Sequence, residues 1–168
     1  MLLEYSLNKP AMVQGYPLHR LVMGLTDGQP ALFVDAGQEL LIRTSVELDA
    51  PSKEVMPFAE GDITAFELRA CCGKKRKGKN IYFERKDWRS RHDWLKRRGE
   101  QLGFEPLTIH CTSDIATIDS GRSRSFRVDQ TDFVGVLKVT DAQMFQKALA
   151  CGVGSVAKTY GFGMLIVS

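Results

Sequence analysis

Gly152-Val153-Gly154-Ser155-Val156-Ala157-Lys158-Thr159-Tyr160-Gly161-Phe162-Gly163-Met164-Leu165 is the stretch on which the fold turns. Its four glycines let backbone approach backbone, or a phosphate, closely, and an apolar strand over Gly163 to Val167 follows at once. The spacing is neither a P-loop nor a dinucleotide fingerprint, because no strand feeds the first glycine. Tight packing between a helix and a strand explains the glycines equally well. The helix lies immediately upstream, where Met144, Phe145, Ala148 and Leu149 form an apolar stripe over Asp141 to Leu149 with Thr140 as candidate cap. Before it, Phe133 to Val139 reads as a strong strand, so the chain ends β-α-β.

Further outward, Leu107 to Thr112 is a strand, and Asp114 to Arg127 reads as an exposed hairpin. Asp87 to Leu102 carries Trp88, Arg91, Trp94, Leu95 and Leu102 at helical spacing, with a basic outer face and a stop at Gly103. The N-terminal half begins β-α-β-β. Its elements are a strand over Met1 to Leu7, a helix opened by Gly15 and Pro17 and closed by Asp27-Gly28, then strands Ala31 to Val34 and Leu40 to Val46 around a glycine turn. Pro51 to Gly61 reads as loop or one helical turn, and Ile63 to Ala70 as the strand that ends the first unit. Element order therefore predicts an α+β protein of two tandem ferredoxin-like (RRM-like) domains. The expected divisions are 1–70, a basic linker over 71–85, and 86–168.

Charge is polarised along the chain. Residues Arg69 to Arg98 hold 13 Lys/Arg against 3 acids, a local +10, whereas the remainder carries a net −7 within a total of +3. Lys74, Lys75, Arg76, Lys77 and Lys79 have no neighbouring acid to pair with, which points to a polyanionic partner rather than a solvated face of mixed sign. No apolar run approaches the roughly 20 residues of a membrane span, so a cytoplasmic protein without membrane contact is expected. Cys71, Cys72, Cys111 and Cys151 fit neither zinc-ligand nor disulfide spacing, and reduced, mostly buried thiols are expected.

The pattern Gly-x-Gly-x-x-Ala-Lys-x-x-Gly-x-Gly between a helix and a terminal strand resembles the C-terminal signature of the CRISPR-associated RNA-processing endoribonucleases, CasE type, of the RAMP superfamily. Phe133-Val134-Gly135-Val136-Leu137-Lys138-Val139-Thr140-Asp141-Ala142 is similar to the family's strand leading into that helix. Phe66-Glu67-Leu68-Arg69-Ala70 resembles the strand closing its first domain, and Tyr16-Pro17-Leu18-His19 matches Tyr-x-Leu-His on its first helix. The likeness spans nearly the whole chain; Ala31 to Gly61 is short for the family, which implies a compressed first ferredoxin-like domain and puts its second helix in question. The resemblance implies cleavage of precursor transcripts at repeat stem-loops, retention of the crRNA hairpin, and membership of a Cas protein effector complex. It also places scission beside the first helix and the glycine loop.

Metal-free RNA cleavage needs a base for the 2′-hydroxyl, an acid for the leaving 5′-oxygen and positive charge at the phosphorane. Tyr16, His19 and Lys158 are the matching residue types, with His19 expected at the third helical position, in the positive field of the helix start. No cofactor is called for, and no carboxylate cluster resembles a two-metal nuclease. Taken singly, Tyr16 reads as a core-edge aromatic, His19 as structural and Lys158 as a surface cation. His92 sits in the basic helix, where an RNA contact is expected, while His110 alternates with apolar neighbours and reads as structural. Arg122, Arg124 and Arg127 on the hairpin, with Arg69, Arg89, Gly152, Gly154, Ser155, Gly161 and the lysine block, form the expected RNA-binding set. A non-catalytic hairpin-binding subunit is the competing reading.

Overall fold

Leu3 and Tyr5 alternate with Glu4 and Ser6, and the computed structural model, which describes residues 1–168, makes them the centre of β1 (Leu3–Asn8). A helix α1 (Gly15–Leu25) leads to β2 (Ala31–Ala36) and β3 (Glu39–Thr44). The chain between Thr44 and Ile63 has no helix; it returns as a three-residue edge strand, β4 (Ser52–Glu54). The sheet order β2-β3-β1-β4 is that of a ferredoxin-like unit, here with one helix. Leu3, Tyr5, Leu18, Val22, Phe33, Leu40 and Ile42 close its core under α1.

The second unit is complete. It runs β5 (Ile63–Ala70), a small hairpin of β6 (Gly73–Arg76) and β7 (Lys79–Tyr82), α2 (Trp88–Leu102), β8 (Phe104–Gly121), β9 (Arg124–Val139), α3 (Ala142–Cys151) and β10 (Leu165–Val167). Its main sheet has the order β10-β5-β9-β8, again the ferredoxin-like pattern. Leu68, Trp94, Leu95, Phe104, Phe133, Leu137, Phe145 and Leu149 belong to the larger core between this sheet and the two helices. Asp87 caps α2 by accepting the Ser90 amide at 3.0 Å, and Gly103 ends it in the left-handed region.

Three expectations change. Ile63–Ala70 opens the second unit instead of ending the first: it lies between β10 and β9 along its whole length, so sheet membership places the division between Glu54 and Ile63 rather than at Ala70. The basic segment expected as a linker is a hairpin turned at Lys77-Gly78, both with positive φ, the geometry of a two-residue hairpin turn. Asp141, not Thr140, caps α3, accepting the Met144 amide at 2.8 Å.

Two arginines bind the units together. Arg43 on β3 has no exposed side-chain surface; its guanidinium donates to the carbonyls of Leu149 (3.0 Å) and Leu165 (2.8 Å) in the second unit and to Glu4 in its own. Arg69 donates to both oxygens of Asp132 (2.7 and 3.2 Å) and to the Asp35 carbonyl of β2 at 3.3 Å. The long β8–β9 hairpin, turned at Arg122-Ser123, adds a third link by leaning its tip on α1.

Candidate active site

α1 begins at Gly15, two residues earlier than Pro17 suggested, and this sets the geometry of the site. His19 is therefore the fifth helical residue, past the first-turn amides that an N-terminal anion would meet. Its ring lies between two tyrosines, with centroid separations of 6.2 Å to Tyr16 and 6.3 Å to Tyr160. None of these three side chains is engaged in a hydrogen bond within the protein, so their polar atoms are open to a ligand. Tyr16 is held from behind by the hairpin tip. Gly121 has φ +80, and a Cβ there would stand 2.9 Å from the Tyr16 ring; a Cβ on Gly15 would stand 2.7 Å from the Asp119 carbonyl oxygen. Helix and hairpin touch this closely only because both positions lack a side chain.

Lys158 arrives from the other unit. It opens a 3-10 turn, Lys158–Tyr160, and shares with His19 the lining of one cavity of about 270 Å3 floored by Leu32 and Phe33. Its ammonium donates to the carbonyl of Cys151, the last residue of α3, at 2.7 Å, where the negative end of the helix favours a cation. Burial is the main influence that pulls the Lys158 pKa below its ordinary value of 10.5; nearby Arg98 pulls the same way and Cys151 opposes.

The glycine loop divides its glycines between two tasks. Gly152 and Gly161 are buried against Leu32 and Phe33, and their amides donate to the carbonyls of Ala148 (2.8 Å) and Lys158 (3.3 Å). Both pack the seam between units. Gly154 and Ser155 differ, for the amides from Gly154 through Thr159 donate to no protein acceptor and remain available. Arg69, an expected RNA contact, is occupied by Asp132 and Asp35, because it lies where the two units meet.

The remaining basic residues of the expected RNA-binding set are exposed and without carboxylate partners. Lys74, Lys75, Arg76, Lys77 and Lys79 occupy the β6–β7 hairpin, and Arg89 the start of α2. Arg122 sits at the long hairpin's turn, and Arg124 and Arg127, three residues apart on one strand, project from opposite faces of the ribbon. His92 is half-buried on α2, whereas His110 is exposed opposite Val134 on the open side of the second sheet, not structural as its alternation implied. Sequence reading missed Tyr160 and Arg98. Tyr160 occupies one of the unspecified positions of the glycine motif, and its contact edge-on with Phe126, centroids 5.4 Å apart, ties the loop to the hairpin.

Together the groups offer proton donors and acceptors on an aromatic cluster, a cation whose hydration is already reduced, and flanking positive surfaces. No three His, Cys, Asp or Glu side chains converge as a metal-binding group. No helix is long and apolar enough to cross a membrane.

Three solved structures share the fold over almost their whole length. A CRISPR endoribonuclease Cse3 bound to 19 nt RNA is 21% identical with a TM-score of 0.84, each chain covered to 100%. Thermus thermophilus Cse3, bound to an RNA representing a pre-cleavage complex, is 22% identical with a TM-score of 0.81, covering 99% of this chain and 98% of that one. The CRISPR-associated protein Cas6e from Escherichia coli K-12 is 21% identical with a TM-score of 0.76, covering 100% and 99%. No curated protein matches by sequence. At such identities the likeness establishes the fold alone, but the family model described as CRISPR associated protein matches residues 19–168, the greater part of both units and the glycine motif. By that match the chain belongs to the CRISPR-associated protein family.

Proposed function

We propose that this protein is a metal-independent endoribonuclease of the CasE type. It cuts CRISPR precursor RNA at repeat stem-loops in the cytoplasm and keeps the crRNA hairpin for a Cas effector complex. The observation that carries this reading is the meeting of His19 from the first unit with Lys158 from the second at one cavity, flanked by Tyr16 and Tyr160. Membership of the family and the RNA-bound Cse3 structures of the same fold support it.

In this scheme the RNA supplies its own nucleophile. A base at the His19–tyrosine cluster takes the 2′-hydroxyl proton as the 2′-oxygen attacks phosphorus. The bond to the 5′-oxygen breaks, that oxygen is protonated by the partner acid, and Lys158 leaves the Cys151 carbonyl to neutralise the phosphorane. The products are a 2′,3′-cyclic phosphate and a 5′-hydroxyl. Arg124 and Arg127, on opposite faces of a protruding ribbon, fit the two sides of an RNA groove, while the lysine hairpin takes phosphates.

The test incubates the protein with its repeat RNA in EDTA, beside His19→Ala and an RNA carrying a single 2′-deoxy at the cut. Wild type cleaves; the variant slows by about 100-fold or more, the usual contribution of a positioned acid or base. The deoxy substrate stays intact. Binding of the hairpin without any wild-type cleavage would establish the non-catalytic reading instead.

A further inference from the structure

A second cavity, of about 230 Å3, borders the glycine loop at Ser155 and Val156 and shares no lining residue with the His19–Lys158 cavity. Its walls come from three elements distant in sequence: Lys74, Lys75, Asn80 and Tyr82 of the basic hairpin, Trp94 and Arg98 of α2, and Ser155 of the loop. No carboxylate lines it, and none of its three cations forms an ion pair. Arg98 is already oriented. Its guanidinium lies 5.5 Å from the Trp94 ring centroid and donates to the Gln101 side-chain carbonyl at 3.1 Å, so little freedom is lost when it meets an anion.

Ser155 and Val156 bring part of the run of unbonded amides to this wall, and Tyr82 presents a partly exposed ring. Cations, free amides, one aromatic face and the two-sided amide of Asn80 are the complement of a single nucleotide: phosphate, base plane and base edge. A base-paired stem cannot enter a recess of this size; an unstacked nucleotide can. Only two residues separate Ser155 from Lys158, three steps of chain with a reach of about 11 Å at most. The occupant is thus close along the strand to the scissile phosphate.

We propose that this cleft is a subsite for an unpaired nucleotide of the repeat strand flanking the hairpin, with Arg98 and Lys75 on its phosphate, Tyr82 against its base and Asn80 at its edge. The inference rests on the reading of the protein as a repeat-hairpin endoribonuclease and extends it from the stem to the single strand beside it.

The test measures binding of wild type and Arg98→Ala to two RNAs blocked by 2′-deoxy at the cut: the trimmed stem-loop, and the same stem-loop with its single-stranded flanks. Wild type should bind the flanked RNA about 10-fold more tightly. Arg98→Ala should lose most of that gain, lower the salt slope by about 1 on flanked RNA, and bind the trimmed stem-loop as wild type does. Equal losses on both RNAs, or no flank-dependent gain in wild type, would overturn the subsite while leaving hairpin cleavage intact. Tight binding of free AMP that flanked RNA does not displace would overturn it as well. Failure of wild type to bind either RNA would instead count against the functional reading itself. Asn80→Ala adds a second readout: its preference among the four bases at the flanking position should flatten, at unchanged salt slope.

Discussion

Replacing Arg43 by methionine keeps the stem's volume and removes the guanidinium that joins the two units. The side chain is wholly buried, and its loss strands the Leu149 and Leu165 carbonyls, whose donor distances are now 3.0 and 2.8 Å. A buried acceptor left unsatisfied costs about 1–3 kcal/mol, so two such groups amount to roughly 2–6 kcal/mol. Glu4 keeps 29% of its side-chain surface exposed and regains water, adding little. The missing desolvation of the guanidinium offsets part of the sum, and about 3–4 kcal/mol is the expected loss, in the range measured when one partner of a buried pair is removed. Against a total of about 5–15 kcal/mol for a domain this is large. Urea titration followed by far-UV circular dichroism and by tryptophan fluorescence reads it, since Trp88 and Trp94 both report the second unit. The curves should part, with the first unit melting early, and Glu4→Gln should shift the midpoint by much less than Arg43→Met. Coincident curves with a loss under about 1 kcal/mol would refute the seam as a determinant of stability.

Because burial lowers the Lys158 pKa, its cation is lost on raising pH sooner than an ordinary lysine's; single-turnover cleavage should fall below pH 10.5, and Lys158→Arg, at whatever reduced rate, should move that alkaline limb upward. Gly121→Ala drives a Cβ to 2.9 Å from the Tyr16 ring at φ +80, so the cleavage rate should drop roughly 10- to 100-fold while hairpin affinity, measured by anisotropy, holds. Thiol titration at neutral pH should find one fast cysteine, Cys151. Cys71, pushed up to about 11 by burial, and the buried Cys72 and Cys111 should react only on unfolding.

What could be read in the sequence follows from where its physics is local. Asp87 and Gly103 bracket α2 because caps act within one turn, and Arg122-Ser123 turns a hairpin whose flanks alternate. β4 gives no such signal: its three residues are all exposed and stand between Pro51 and Pro57. The membership of β5 was out of reach for another reason, since a strand that ends one unit and a strand that begins the next have the same alternation, and only pairing decides. Tyr16, His19 and Lys158 were found by motif, not by chemistry visible in each alone. Arg43, Arg98 and Tyr160 carry no local mark, because their roles depend on carbonyls, rings and cavities contributed by chain far away.

With His19 on one unit and Lys158 on the other, the proposed site is complete only when the two halves are docked. A first domain taken from a distant relative would carry its histidine to a partner whose lysine is registered on the floor of Leu32 and Phe33 that the incoming domain replaces. Grafting therefore has to move the Arg43 and Arg69 contacts together with the proposed catalytic residues. Warming should also silence cleavage before either half unfolds, which makes activity a gauge of domain docking.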